Sequence, residues 1–120
     1  MKIIKTHRDL DVWKMSTELA IDLYKITETF PASEKFGLVS QIRRASVSIC
    51  SNIAEGAARF HDKEFVHFLY ISLGSVSEIE TQLEISTRLG FVKSIIQQTE
   101  TLRRIRKMLQ GLIKSINEKS

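Results

Sequence analysis

Residues that interrupt regular structure are scarce in this chain of 120 residues, and their scarcity constrains the fold more than any other feature. There is one proline, Pro31, and there are five glycines, at positions 37, 56, 74, 90 and 111. Proline and glycine are the strongest local punctuation of secondary structure. Long segments joined by short connections are therefore expected.

Between these breakers, apolar residues recur at steps of three and four, which is the period of an α-helix. Asp9 or Asp11 is a candidate N-cap for the first helix. That helix is expected to end at Phe30, because a residue before proline is pushed away from helical dihedrals.

Three further helical segments follow. The second runs from about Leu38 to Ile53. The third begins at Asp62, another candidate N-cap, and ends at Gly90, where a left-handed glycine before an apolar residue suits a Schellman motif. The fourth covers about 95–116.

None of the four segments shows the alternation of a β-strand. Short connections make neighbouring helices antiparallel. The predicted fold is therefore all-α: one domain over residues 1–120, an antiparallel up-down-up-down four-helix bundle with a basic arm at residues 1–8.

Cysteine usage and hydropathy indicate the compartment. Cys50 is the only cysteine, so the chain forms no internal disulfide, as is usual in a reducing environment. No stretch approaches the roughly 18 apolar residues of a membrane span, and the first residues lack the apolar core of a signal peptide. A soluble, cytoplasmic protein without a membrane partner is expected.

Positive charge is concentrated in two places. The formal net charge is only +4, yet residues 93–119 hold seven basic residues against two acidic ones. Such a distribution suggests binding to the phosphates of RNA or DNA, whereas the simpler interpretation is a solvated helix face. The candidate nucleic-acid-binding residues are Arg103, Arg104, Arg106 and Lys107 in the fourth helix, and Lys2, Lys5 and Arg8 in the arm.

Signals for catalysis and for metal binding are weak. Glu64 and His67 match the Glu-x-x-His motif of di-iron bundles, but the chain has only three histidines and cannot supply the second motif. Cys50 lacks an evident base, and no glycine-rich phosphate loop occurs. We therefore expect no enzyme activity, no metal and no cofactor.

A polar cluster on the second helix leaves two interpretations open. Asn52 and Glu55 lie beside core positions, where polar groups need hydrogen-bonding partners, and Arg44 on the same helix could complete a network with them. The cluster is either structural, fixing the register of the helices, or a ligand site. A nuclease or transferase acting through these three residues is the remaining enzymatic hypothesis.

The third helix has apolar residues outside its core stripe. Phe68, Ile71 and Leu73 widen the apolar surface, as either a broad core face or a subunit interface. On the same helix, the small residues Ser72, Gly74 and Ser75 are expected to pack closely against the second helix.

Several sequence blocks together resemble a known bacterial family, the four-helix-bundle proteins encoded in intervening sequences of 23S ribosomal RNA genes. The resemblance is close from residue 8 to about 90 and extends through the fourth helix only by pattern. The blocks are Arg8-Asp9-Leu10-Asp11-Val12-Trp13, Phe36-Gly37-Leu38, Gln41-Ile42-Arg43-Arg44-Ala45, Ser51-Asn52-Ile53-Ala54-Glu55-Gly56 and 65–75.

The resemblance implies a small homopentameric bundle, a closed ring, without established enzyme activity. Such proteins are similar to the accessory proteins of diversity-generating retroelements, basic pentamers proposed to bind nucleic acid and a reverse transcriptase. The leading hypothesis is therefore a non-catalytic oligomeric module that binds RNA or DNA. The alternative is a protein–protein interaction scaffold whose basic surface meets an acidic partner protein, with no direct nucleic-acid contact.

Overall fold

A computed structural model of the protein describes residues 6–119, which form four α-helices and no strand. The predicted all-α class is confirmed. Two short 3-10 turns, His7–Asp9 and Ala32–Glu34, precede the first and second helices. The helices are α1 (Asp11–Thr27), α2 (Leu38–Ala57), α3 (Asp62–Arg88) and α4 (Ile96–Lys119).

The predicted N-caps are wrong, for a local reason. Leu10 holds the cap position of α1 and makes no side-chain cap bond. The Asp9 carboxylate instead accepts a hydrogen bond from the backbone N–H of Thr6 at 3.1 Å, which closes the preceding 3-10 turn. His61 holds the cap position of α3, without a side-chain cap bond, so Asp62 falls in the first turn, where its negative charge interacts favourably with the helix dipole.

The C-terminal end of α1 differs from the prediction, whereas that of α3 agrees with it. α1 stops at Thr27, three residues before Phe30, whose buried ring packs 5.6 Å from that of Phe91. α3 ends as predicted, since Gly90 adopts a φ of +80° and the N–H of Phe91 donates to the carbonyl of Ser86 at 2.9 Å. This hydrogen bond completes a Schellman motif.

All four helices contribute to one core. α2 packs against α1 and α3, and α4 packs against the same two helices. The core includes fully buried residues from each: Leu23 of α1, Ile42, Ile49 and Ile53 of α2, Leu69, Val76, Ile79 and Leu83 of α3, and Leu102, Ile105 and Leu109 of α4. No helix within residues 6–119 is long and apolar enough to cross a membrane.

Small residues bring α2 and α3 together, but Gly74 is not one of them. The Ser72 hydroxyl donates to the carbonyl of Ile49 at 2.8 Å, and the Ser75 hydroxyl meets that of Ser48 at 2.9 Å. A Cβ atom added at Gly56 would lie 2.9 Å from the side chains of α3, whereas one added at Gly74 would meet nothing within 4 Å. Gly74 lies on the outer surface of α3, and its predicted packing against α2 is wrong.

Polar side chains link the remaining helix pairs. Between α1 and α2, the Arg43 guanidinium donates to the Thr27 hydroxyl at 2.9 Å. Between α1 and α4, the Gln98 amide donates to the Asp22 carboxylate at 2.8 Å. Between α3 and α4, Arg106 forms an ion pair with Glu80.

Candidate nucleic-acid interface

The outer surface of α4 carries three of the four cations that were predicted on this helix. Helical spacing turns Leu102, Ile105 and Leu109 into the core, and all three are fully buried. Arg103, Arg104 and Lys107 therefore project outward. We call this surface the basic face and define it by its exposed members, Arg103, Arg104, Lys107 and Lys114.

Arg103 is paired with a neighbour on the same helix. Its guanidinium donates to both carboxylate oxygens of Glu100 at 2.7 Å. This hydrogen bond lowers the pKa of Glu100 and raises the pKa of Arg103. The side chains are 62% and 55% exposed, so water and salt screen the pair.

Arg106 lies apart from the basic face. It is half-buried and turns toward α3, where it pairs with Glu80 and lies 3.4 Å from the Ser77 hydroxyl. Arg106 therefore lies at the edge of the core stripe of α4. Its charge, however, is compensated within the bundle.

Arg104 and Lys107 form no ion pair with any residue in 6–119. Arg104 lines a shallow groove between α4 and α1 together with Glu18 and Asp22. Lys107 points to solvent. These two cations are the predicted residues best placed to meet an anion.

Two residues of this surface, Lys114 and Gly111, were not predicted from the sequence to belong to it. Lys114 lies seven positions after Lys107, and that spacing places both on one side of the helix. Gly111 lies between them, and a Cβ atom there would meet nothing within 4 Å. The helical spacing of lysines was the available signal.

The basic arm does not join this surface in the described part of the chain. Lys2 and Lys5 lie outside the described residues. Arg8 is exposed, and its guanidinium carbon lies 5.4 Å from the centre of the Trp13 ring. The turn that carries Arg8 packs against α1 and α2.

The three residues of the predicted polar cluster have separate surroundings. Asn52 donates to the carbonyl and hydroxyl of Ser48 at 2.8 and 3.0 Å. Glu55 pairs with Arg59 at 2.6 Å, and Arg44 is exposed. Asn52 does connect to α3, but through Ser48 to Ser75 and without Arg44 or Glu55.

The predicted interface residues of α3 also differ in their surroundings. Phe68 is half-buried against Gly56, beneath the guanidinium of Arg59 at 5.0 Å. Leu73 packs against the core. Ile71 is 40% exposed, and with the neighbouring Tyr70 it forms apolar surface on the outside of α3.

The described residues contain no group of three or more His, Cys, Asp or Glu side chains that could hold a metal ion. Glu64 is exposed, and the ring of His67 lies edge-on to that of Phe68 at 5.5 Å. Nothing in this geometry extends the Glu-x-x-His motif into a site.

The comparison with curated proteins found no match. Among solved structures, the chain is similar to a protein of unknown function from the S23 ribosomal protein family of Bacteroides thetaiotaomicron. The two are 26% identical, the match covers 86% of this chain and 95% of that one, and the TM-score is 0.77. The family model for the 23S rRNA-intervening sequence protein matches residues 8–111. With this match over most of its length, the chain belongs to the 23S rRNA-intervening sequence protein family.

Proposed function

We propose that the protein is a non-catalytic oligomeric module that binds RNA or DNA through the phosphates, with the basic face of α4 as its contact surface. One observation carries the proposal: Arg104, Lys107 and Lys114 are exposed on the same side of one helix and form no ion pair among residues 6–119. A row of exposed cations that form no direct ion pair within the described chain, on a helix where the nearby Glu100 pairs with Arg103, suits a polyanion better than a small ligand.

Phosphate contacts of this kind fix the position of a nucleic acid without reading its sequence. Each phosphate that is neutralised releases counterions and adds about 0.7 to 0.9 to the logarithmic salt slope. Few contacts per chain, repeated around an oligomer, give steep salt dependence. We therefore propose binding that depends strongly on salt and weakly on sequence.

The test replaces Arg103, Arg104 and Lys107 with glutamate. All three are exposed, so the fold should survive while binding of labelled RNA and DNA is lost at moderate salt. A matched control replaces Lys14, Lys25 and Lys63, three exposed cations on α1 and α3, and takes the net charge from +4 to −2 in the same way. Equal loss of nucleic-acid binding in both variants would mean that net charge, and not the basic face, governs binding. Unchanged binding in the α4 variant would contradict the proposal.

We also propose that neighbouring helices run antiparallel, in an up-down-up-down order. Ser48 of α2 meets Ser75 of α3, whereas Gly56, further along α2, lies against the earlier residue Phe65. The pairs Asp22–Gln98 and Arg106–Glu80 connect the other neighbours. These contacts support an antiparallel up-down-up-down order, which leaves the outer surface of each helix free for association.

A closed homo-oligomer is the second part of the proposal, and the subunit number of five comes from the family resemblance. Tyr70 and Ile71 expose apolar surface on α3, and Gly74 beside them leaves room for close approach. Closed rings are a common solution for identical subunits. The lone Cys50, without a second cysteine to pair with, supports a cytoplasmic location.

One observation favours a second function, a protein–protein interaction scaffold. A groove of about 490 Å³ between α1 and α2 has a mainly apolar lining that includes Ile21, Tyr24, Val47 and Cys50. Under this alternative, a defined partner protein binds stoichiometrically after nuclease treatment. Binding of that partner would then survive the glutamate substitutions on α4 and be lost on Val47→Glu. An acidic partner bound through the basic face would show the opposite pattern.

A further inference from the structure

Gly111 lies in the middle of α4, where glycine is unfavourable. Inside a helix, glycine loses more backbone entropy than alanine, and a neighbour that needs the space normally offsets this cost. Gly56 has such a neighbour, since a Cβ atom there would lie 2.9 Å from Phe65 and Phe68. At Gly111, a Cβ atom would meet nothing within 4 Å. The described part of the chain therefore gives no packing reason for glycine at this position.

The nearest charged residues on either side of Gly111 are basic. Lys107 precedes it by four residues and Lys114 follows by three, which corresponds to about 6 and 4.5 Å along the helix axis. Arg104 lies two turns earlier and the exposed Glu118 two turns later on the same side. The basic face therefore has a gap at its centre, open to the main chain and flanked by cations.

We infer that Gly111 is the point at which a phosphodiester backbone approaches α4 most closely, with Lys107 and Lys114 contacting phosphates on either side. This inference rests on the proposed function and deepens it. A side chain at position 111 would stand between the helix and the sugar–phosphate chain and would hold both lysines away from their phosphates. Gly74 has a different setting, because its neighbours Tyr70 and Ile71 are apolar and fit a protein surface.

The test compares Gly111→Ala and Gly111→Leu with Thr99→Leu, a control that adds the same side chain to an exposed position of α4 away from the gap. Probes are labelled single- and double-stranded RNA and DNA oligonucleotides at fixed salt. We expect Gly111→Leu to weaken binding about tenfold, as on losing a charge-assisted contact, and Gly111→Ala to weaken it less. Thr99→Leu should bind as wild type does.

A fourth variant, Gly111→Arg, separates close approach from charge. If charge alone governs binding, the added arginine tightens it, whereas close approach predicts no gain or a loss. Circular dichroism and light scattering establish that each variant keeps its fold and assembly.

The outcomes distinguish the inference from the function beneath it. If the glutamate variant of Arg103, Arg104 and Lys107 loses binding but Gly111→Leu retains it, the close approach at Gly111 is overturned, whereas binding through the basic face is supported. Tighter binding by Gly111→Arg would also overturn the close approach. If the glutamate variant binds as wild type does, the proposed function itself is overturned. Loss in both, with Thr99→Leu unaffected, supports the inference.

Discussion

At the scale of single residues, the cations of α4 divide into two groups by their partners. Arg103 and Arg106 each meet a glutamate, whereas Arg104 and Lys107 do not form an ion pair within residues 6–119. Partners three residues away, such as Glu100, are readable from the sequence. Glu80 is 26 positions from Arg106 and is brought to it only by the packing of α3 on α4.

The pKa of Glu100 gives a direct measure of its pairing. It is lowered chiefly by the hydrogen bond from Arg103, so Glu100 stays ionised at neutral pH and any stabilisation by the pair is lost as the pH falls through the lowered value. We expect Arg103→Ala to raise this pKa toward the ordinary value, as followed by NMR titration of the carboxyl carbon. Arg88→Ala, on another helix, should leave it unchanged. An unaltered pKa in Arg103→Ala would contradict the pairing.

Alanine should have opposite effects at two helical glycines. At Gly56 a Cβ atom would lie within 3.0 Å of the side chains of Phe65 and Phe68, so we expect Gly56→Ala to lower the free energy of unfolding by about 1 to 3 kcal/mol. At Gly111 the space is open, and Gly111→Ala should raise it by about 0.5 to 1 kcal/mol. Urea denaturation measures both. Equal effects would mean that the environment of Gly56 is not tight.

At the scale of elements, the sequence was most informative where the signal is local. Apolar periodicity located all four helices, and Gly90 predicted the end of α3 because a left-handed residue suits that turn. The predicted N-cap of α1 was wrong because Asp9 is engaged by the 3-10 turn before that helix. Within the candidate site, positions on α4 followed from periodicity, whereas the partner of Arg106 depends on tertiary packing.

The ion pair between Arg106 and Glu80 connects α3 to α4, and its strength is measurable. The two side chains are 30% and 36% exposed, so solvent screening limits their coupling to about 0.5 to 1 kcal/mol. A double-mutant cycle with Arg106→Ala and Glu80→Ala should give this value, and it should decrease as salt is added. The exposed pair Arg88–Glu84 serves as the comparison, with a smaller coupling expected. Strictly additive effects of the Arg106 and Glu80 substitutions on the free energy of unfolding would rule out energetic coupling between the two side chains.

At the scale of the whole molecule, the outer surfaces of α3 and α4 have contrasting chemistry. α3 exposes Tyr70 and Ile71 beside Gly74, whereas α4 exposes basic residues around Gly111. In the proposed assembly, the first surface is used between subunits and the second faces the nucleic acid. The resemblance to a family suggested a ring, but no feature of a single chain determines how many subunits close it.

Disrupting the outer surface of α3 should therefore separate the subunits without unfolding them. We expect Ile71→Glu and Gly74→Arg to convert an oligomer into a monomer of 13.8 kDa, because both positions are exposed and a charge there opposes association. Light scattering coupled to size exclusion gives the mass. Thr81→Arg, an exposed position further along α3, is the control. A wild-type monomer at all concentrations would exclude the assembly.

The single cysteine has a practical consequence for such experiments. Cys50 is half-buried in the α1–α2 groove, and its thiol contacts the carbonyl of Val47 at 3.4 Å. One chemical labelling step therefore places one spectroscopic probe per subunit without altering the basic face of α4. In a symmetric ring, distances between these identical probes take only a few discrete values, and those values encode the number of subunits.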